Sequence, residues 1–191
     1  MKAMQIVNFD GPASGLRYQE APTPEPGPGQ IAVDVDHAGV GYVEALFTEG
    51  LVPIDLPWTP GLEVSGRVRA LGDGVDGYQV GDAVVALTIT GGGVYGQVAV
   101  APAELVVPLH AGLDPVVAAA VPANSTTALV ALEEIAHLRR GESVLVHAAD
   151  GGLGSQMGQV ARLLGAGRVV GVTRSEAKRQ EILDLGYDEA W

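Results

Sequence analysis

The sequence contains no cysteine, which excludes disulfide bonds, thiolate catalysis and cysteine-ligated zinc. Basic residues are also scarce: 11 Lys and Arg stand against 23 Asp and Glu, so the formal net charge is −12. Nucleic acids and anionic membrane surfaces are bound by basic side chains, and this balance argues against both as main partners. No apolar run approaches the length that spans a bilayer, and the N-terminus lacks the apolar stretch of a signal peptide. We therefore expect a soluble, cytoplasmic protein.

The composition is that of a folded chain with a sizeable core. Hydrophobic residues make up 47% of the 191 residues and charged residues 18%. The 27 glycines and 12 prolines are spread along the chain, which indicates turns rather than disorder. This length holds one large domain or two small ones.

From Met1 to about Pro122, apolar and polar residues alternate in short segments. The segments QIAVDVDHAGV and LEVSGRVRAL each predict a strand with one apolar and one polar face, and Glu63 and Ser65 fall on the polar face. GDAVVAL, YGQVAVA and ELVVPL predict further strands, and the proline-rich APTPEPGPGQ predicts a surface connector. Many short strands at this spacing favour a closed or barrel-like antiparallel domain over residues 1–122.

The pattern changes over residues 123–191. NSTTALVALEEIAHLRRGE has helical spacing and ends at Gly141, and the apolar SVLVHAA predicts a strand covered on both faces. A helix from about Gly152 to Leu164, a second strand in RVVGVT and a helix with a serine cap in SEAKRQEILDLG follow. This βαβα order is the beginning of a parallel, doubly wound sheet, of which only two strands are predicted.

A glycine-rich loop, AADGGLG, lies between the predicted strand and helix, as a phosphate-binding loop requires. Glycine allows the backbone to approach a pyrophosphate, and the helix N-terminus offers free N–H groups. The candidate phosphate-binding residues are Ala149, Gly151, Gly152, Leu153 and Gly154. The alternative is a tight turn without a ligand. Asp150 would repel a pyrophosphate if it pointed inward, so we expect it to face solvent.

The end of the second predicted strand indicates which nucleotide binds. NAD sites usually place an acid there to bond the ribose 2′-hydroxyl. This chain instead has Thr173, Arg174 and Ser175, with Lys178 one turn later. Two cations and hydroxyl groups suit a 2′-phosphate, which predicts NADPH as the cofactor. The alternative is that Arg174 and Lys178 only solvate the start of a helix.

Several segments together resemble the medium-chain dehydrogenase/reductase superfamily, in particular its zinc-independent quinone oxidoreductase and polyketide-type enoyl reductase branch. AGVGYVEALFTEG, PGLEVSGRVRALGDGVDGYQVGDAVVAL, VPANSTTALVAL and VLVHAADGGLG are each similar to a stretch of that family, in the family's order. The resemblance implies a GroES-like β-barrel substrate domain over residues 1–122, followed by an incomplete Rossmann domain over residues 123–191. It also implies hydride transfer from a nicotinamide to a quinone, an enone or an enoyl thioester.

Zinc-using members of the family carry a histidine in a G-H-E triplet and a cysteine early in the chain. Here the triplet is GLE, with Leu62 at the histidine position, and there is no cysteine. Neither zinc site is therefore expected. The four histidines show no metal-ligand spacing, and His147, just before the glycine loop, is expected to be a hydrogen-bonded structural residue.

The resemblance also assigns candidate roles outside the glycine loop. Tyr42 occupies the position of a tyrosine proposed as proton donor in some enoyl reductases, and a phenol is a plausible general acid. The alternative is that Tyr42 is a packing aromatic. Thr127 aligns with a threonine that contacts the nicotinamide, and Trp58 is expected to line the substrate entrance. Gly41 stands where the family has asparagine, which changes the polar contacts expected near the nicotinamide.

The family continues beyond LGYDEAW into a second mononucleotide-binding half, and three interpretations follow. The chain is a piece of an NADPH-dependent reductase; or it is a short, non-catalytic protein that binds small molecules or other proteins; or a partner chain completes it. A two-stranded sheet would leave apolar faces and an open edge uncovered, which favours pairing with another chain, including a second copy.

Overall fold

The computed structural model describes residues 1–88 and 93–191. They form two compact units, Met1–Pro122 and Ala123–Trp191, each with its own hydrophobic core. Within the described residues, no helix is long and apolar enough to cross a membrane.

The first unit consists mainly of β-strands. Its strands are β1 Lys2–Ile6, β2 Leu16–Glu20, β3 Gln30–Ala38, β4 Glu63–Leu71, β5 Ala83–Leu87, β6 Val98–Pro102 and β7 Val106–Pro108. Its helices are α1 Pro12–Gly15, α2 Tyr42–Thr48 and α3 Pro115–Ala118, with a 3₁₀ turn at Ala103–Leu105. The proline-rich segment between β2 and β3 contains no strand, in agreement with the sequence expectation, because proline has no N–H group to donate to a sheet.

Five of these strands form one antiparallel sheet in the order β6-β3-β4-β5-β7, while β1 pairs with β2. The central pair β3–β4 is in register from Ile31 opposite Leu71 to Ala38 opposite Val64, with two irregularities. Among the described strands, β6 and β7 are not paired with each other, so the sheet is a half-barrel, which confirms the barrel-like form of the domain that the sequence predicted. The core on its inner face is built from small β-branched and alanine side chains: Ile31, Val33, Val64, Val68, Val84, Ala86, Val94, Ala99, Ala101 and Val106.

Both faces of the start of β4 are covered, which the alternating pattern did not predict. Glu63 and Ser65 were expected on the exposed face, but they are 6% and 0% exposed. The Ser65 hydroxyl donates to the Pro115 carbonyl oxygen at 2.7 Å, because α3 packs over this part of the strand. A helix from a distant part of the chain therefore buries polar residues that the local sequence places outside.

The second unit has a parallel sheet with helices. Its strands are β8 Ser143–His147, β9 Arg168–Val172 and β10 Glu189–Ala190, and its helices are α4 Pro122–Leu129, α5 Gly152–Leu163 and α6 Arg179–Asp184. A π-helix covers Val130–Ile135, and a 3₁₀ turn covers Glu176–Lys178. Strands β8 and β9 and helix α5 lie where the sequence predicted them.

The sheet has three strands in the order β10-β9-β8, where the sequence predicted two. Glu189 pairs with Val170 in parallel register. The Asp188 carboxylate accepts from the Val169 N–H at 2.7 Å, and the Thr173 N–H donates to the Trp191 carbonyl oxygen at 2.7 Å. These long-range hydrogen bonds form the strand, because the segment itself is too short and polar to show a strand pattern.

The predicted helix up to Gly141 is wrong in its second half. The helix widens into the π-helix Val130–Ile135, and His137 then adopts a left-handed φ of 52°. A π-helix bonds residues five apart, so its side chains leave the stripe that a 3.6-residue period predicts. Ile135 is consequently 75% exposed, while Leu132 remains in the core at 5%.

Two further expectations for this unit are corrected. Strand β8 is not covered on both faces, since the Leu145 side chain is 55% exposed and His147 is also exposed. Ser175 caps no helix, because a 3₁₀ turn precedes α6 and the Ser175 side chain makes no cap hydrogen bond. Instead, the Ser175 N–H donates to the Thr173 hydroxyl oxygen at 3.1 Å, a local turn that competes with a helix cap.

Helix α5 packs closely because it presents glycines toward the sheet. Gly158 is buried, and a Cβ atom there would overlap the ring of Tyr187. Tyr187 is 4% exposed and its hydroxyl donates to the Gly154 carbonyl oxygen at 2.6 Å. Burial raises the pKa of Tyr187 to about 12, so the phenol is neutral and holds the first turn of the helix.

We predict that Gly158→Ala destabilises the second unit by about 1–3 kcal/mol, the usual effect of forcing a methyl group into a filled core. The measurement is urea unfolding followed by circular dichroism. Gln159→Ala, at the exposed neighbouring position on the same helix, is the control and should change the free energy of unfolding by less than about 0.5 kcal/mol. Equal stability of the two variants would contradict the close packing.

Candidate functional site

An open cavity of about 690 Å³ lies at the carboxyl ends of β8 and β9. Ligands of parallel α/β sheets bind at this end of the strands. The residues that line it are His147, Ala148, Asp150, Gly151, Val172, Thr173, Arg174, Ser175 and Lys178. The structure thus brings Gly151 of the glycine loop and the predicted 2′-phosphate residues to one cavity. The other candidate phosphate-binding residues do not line it: Ala149, Gly152, Leu153 and Gly154.

The glycine loop is shaped by a close backbone contact. A Cβ atom on Gly154 would overlap the Ala148 carbonyl group, so only glycine allows the helix to begin this near the loop. Ala149 is fully buried behind the loop, and its N–H donates to the Val172 carbonyl oxygen at 3.0 Å. That bond ties the end of β8 to the end of β9. Ala149 therefore shapes the cavity from behind its lining, and Gly154 sets the short distance between the loop and the helix.

Free donors lie at the start of α5. Among the described residues, the N–H groups of Gly152, Leu153 and Gly154 donate to no backbone carbonyl. The first N–H groups of a helix lack intrahelical acceptors and carry the positive end of its dipole. Three donors next to a cationic cavity suit the pyrophosphate of a dinucleotide.

Ala148 adopts a left-handed backbone conformation with φ 53°. Such a conformation is uncommon for a residue other than glycine and is typical of turns that position a functional loop. The Gly151 N–H donates to the Ala148 carbonyl oxygen at 2.9 Å, which closes this turn. This conformation could not be predicted from the sequence, because nothing in an alanine indicates a positive φ.

The expectation that Asp150 faces solvent is wrong. Its carboxylate lies 3.1 Å from the Lys178 ammonium, and its side chain is 21% exposed. Hydrogen bonds from Lys178 and then Thr173 hold the pKa of the Asp150 carboxyl below its ordinary value, so it is ionised at neutral pH. The carboxylate therefore lies within the cavity and engages one of its two cations.

Arg174 differs from Lys178 in its pairing. It is exposed at the rim and makes no ion pair among residues 1–88 and 93–191. A free guanidinium at the mouth of the cavity is available to an anion. The cavity holds two cations and one acid, Asp150, among the described residues that line it.

Thr127 and His147 are the remaining sequence candidates of the second unit. Thr127 lies on α4, outside the lining of the cavity, and its hydroxyl donates to the Ala123 carbonyl oxygen at 2.7 Å. His147 lines the cavity, and its imidazole makes no hydrogen bond within the described part of the chain, which corrects the structural role expected for it. Its position at the end of a strand before a glycine loop was the signal for a place in the site.

In the first unit, Tyr42 and Trp58 are not joined by one cavity. Tyr42 is the first residue of α2 and is 81% exposed, so in this unit it is not a packing aromatic. Trp58 lines an open cavity of about 340 Å³, and its ring centroid lies 4.8 Å from that of Phe47. Tyr42 is not among the residues that line that cavity.

Glu44, one turn after Gly41, is an acid whose burial the sequence did not predict. It is 7% exposed and accepts from the Gly41 N–H at 2.9 Å. Burial raises its pKa, against the smaller opposing effect of its backbone hydrogen bonds. With Tyr95 it lines a small apolar cavity of about 160 Å³.

The Tyr95 hydroxyl oxygen is buried and has no hydrogen-bond partner in the described structure. Burial, followed by repulsion from Glu44 and Glu63, raises the pKa of Tyr95.

The geometry defines a class of protein: a GroES-like antiparallel domain followed by the beginning of a dinucleotide-binding fold. A family model described as "Alcohol dehydrogenase GroES-like domain" matches residues 27–111. The synaptic vesicle membrane protein VAT-1 homolog-like of Mus musculus is 36% identical over 186 residues, which cover 96% of this chain and 44% of that protein. The quinone oxidoreductase of Rattus norvegicus is 34% identical over 193 residues, which cover 100% of this chain and 58% of that protein.

A solved mycobacterial structure complexed with NADPH has a TM-score of 0.91 and 33% identity, over 100% of this chain and 58% of that one. The chain thus spans about half the length of the relatives it matches. These similarities support the medium-chain dehydrogenase/reductase superfamily, on its quinone oxidoreductase branch, as the group that this chain resembles over its whole length.

We predict that Glu44→Gln stabilises the first unit above the raised pKa of Glu44 and has no such effect at low pH. A carboxyl whose folded pKa exceeds its unfolded pKa is protonated in both states at low pH. It destabilises the fold increasingly as pH rises from the unfolded pKa to the folded pKa. The measurement is urea unfolding at pH 4 and pH 8.

The matched control is Glu49→Gln, which removes the same charge from an exposed position next to the same helix. The change in the free energy of unfolding caused by Glu49→Gln should be similar at pH 4 and pH 8. A gain for Glu44→Gln that is equal at both pH values would contradict a raised pKa.

Proposed function

We propose that this chain carries the substrate domain and the first half of the cofactor domain of an NADPH-dependent reductase. The observation that supports it best is the cavity in which a glycine loop, a helix N-terminus, Arg174 and Lys178 meet. The domain limits of the proposal are residues 1–122 for the GroES-like domain and 123–191 for the Rossmann part.

The residues of this cavity fit the adenosine half of NADPH. The N–H groups of Gly152, Leu153 and Gly154 are the donors for the pyrophosphate, and Gly151 allows its close approach. Arg174 and Lys178, with the hydroxyl groups of Thr173 and Ser175, are the candidates for the 2′-phosphate. The likeness to a structure complexed with NADPH supports the same choice. When bound, the cofactor supplies a hydride.

For the chemistry, we propose reduction of a quinone, an enone or an enoyl thioester. Similarity to a quinone oxidoreductase supports a small, partly apolar acceptor. Tyr42 is the proposed proton donor, and its exposed phenol at the start of α2 is accessible to a substrate. Trp58 is the proposed aromatic wall of the substrate site, and Thr127 the proposed contact to the nicotinamide. Leu62 at the histidine position and the absence of cysteine support a reaction without zinc.

A second candidate function is binding without catalysis, in which a partner chain or a second copy completes the fold. The exposed Leu145 and His147 on one face of β8 favour it, because an uncovered face of a parallel sheet suits contact with further protein. Nucleotide binding without turnover by the purified chain would support this candidate.

We predict that the purified chain binds NADPH more tightly than NADH and that Arg174→Ala weakens NADPH binding about tenfold or more. A hydrogen bond between charged groups contributes about 1.5–3 kcal/mol. Isothermal titration calorimetry at moderate salt measures both affinities. Arg179→Ala is the control, because Arg179 pairs with Glu176 and does not line the cavity. Binding of neither nucleotide would overturn the proposed function.

We predict that Tyr42→Phe lowers kcat for reduction of an enone by about 100-fold, with KM changed less than about twofold, because general acid catalysis contributes at least that factor. The measurement is the oxidation of NADPH, followed by its absorbance, in the complete reductase that we propose contains this chain. Tyr18→Phe, which changes another exposed tyrosine of the first unit, is the control. An unchanged kcat for Tyr42→Phe would remove Tyr42 from the mechanism.

A further inference from the structure

The cavity proposed for the adenosine ribose contains an ion pair, and the acid of this pair disfavours binding of a 2′-phosphate. The Asp150 carboxylate lies 3.1 Å from the Lys178 ammonium, and the two residues are 28 positions apart in the chain. Both line the cavity with Thr173 and Arg174. A 2′-phosphate that approaches Lys178 therefore also approaches the Asp150 carboxylate, which is already paired with the Lys178 ammonium.

The ionised Asp150 affects the two nucleotides differently. For a 2′-phosphate it is a like charge at close range, and it neutralises one of the two cations in the cavity. For a 2′-hydroxyl it is a hydrogen-bond acceptor, the role that an acid at the strand end serves in NAD sites. The same side chain thus disfavours the phosphate and favours the hydroxyl.

We infer that Asp150 is a specificity-determining residue that narrows the preference of this cavity for 2′-phosphorylated nucleotides, through its ion pair with Lys178. The inference rests on the proposed nucleotide binding. Arg174 gives the cavity its 2′-phosphate preference, and Asp150 reduces the contribution of Lys178 to it. The chain consequently accepts both nucleotide forms with a modest difference in affinity.

The test compares adenosine 2′,5′-bisphosphate with 5′-AMP, because these probes differ only in the 2′-phosphate and need only the adenosine half of the site. Calorimetry of the full chain gives the ratio of the two affinities. Asp150→Asn removes the charge and keeps the size of the side chain. We expect it to tighten binding of the bisphosphate about tenfold, while binding of 5′-AMP stays equal or weakens.

Asp184→Asn is the matched control, because Asp184 is an exposed acid of the same unit that does not line the cavity. It should leave the ratio of affinities within about twofold. A ratio that changes equally in Asp150→Asn and Asp184→Asn would overturn the inference and leave nucleotide binding intact. Failure of the unsubstituted chain to bind either probe would overturn both proposals.

A double-substitution cycle tests the ion pair itself. In a chain that already carries Lys178→Gln, Asp150→Asn should tighten binding of the bisphosphate by clearly less than about tenfold, because only the direct repulsion by Asp150 is removed and there is no ammonium left to release. An undiminished tenfold gain in this background would show that Asp150 acts independently of Lys178 and would overturn the pair as the cause.

Discussion

The backbone of the first turn of α5 lies so near the loop before it that a single added methyl group would collide there. Gly154 has no room for a Cβ atom beside the Ala148 carbonyl, and its own carbonyl accepts the buried Tyr187 hydroxyl at 2.6 Å. This contact aligns the start of the helix with the ends of β8 and β9. The free N–H groups, the cavity and the cations beyond it all depend on that alignment. A bulkier residue at position 154 would push helix α5 away from β8. The N–H donors of the helix would then lie farther from Arg174 and Lys178.

The electrostatics of the site depend on this geometry as well. The chain is acidic, with 23 Asp and Glu against 11 Lys and Arg. Two basic side chains nevertheless line one cavity, near the positive N-terminal end of the α5 dipole. The net charge of the chain therefore does not predict the electric field inside the cavity. Salt screens distant charges, so an anion within a few ångströms of Arg174 and the helix N-terminus is attracted despite the acidic composition. Asp150 is the exception within that cavity. Its carboxylate is held by Lys178, so the cavity is less cationic than its two basic residues suggest.

Helix α2 of the first unit carries one exposed and one buried polar side chain. Tyr42 projects into solvent at the start of α2, while Glu44, two residues later on the same helix, is buried beside Tyr95. Burial raises the pKa of both Glu44 and Tyr95, which line the same small apolar cavity. The same helix thus presents an accessible phenol outside and a desolvated acid inside.

The sequence alone determined the features that depend on local pattern. The alternating strands of the first unit, the order βαβα of the second, the glycine loop between strand and helix and the cations after β9 all follow from residue period and backbone chemistry. Tertiary structure decided the rest. Strand β10 exists because β9 offers an edge to a polar segment, and Glu63 and Ser65 are buried because α3 covers them. The helix after Pro122 widens into a π-helix at Val130, which no local pattern predicted. The Asp150–Lys178 pair joins residues 28 positions apart, and no local pattern reports a distance that only the folded chain sets.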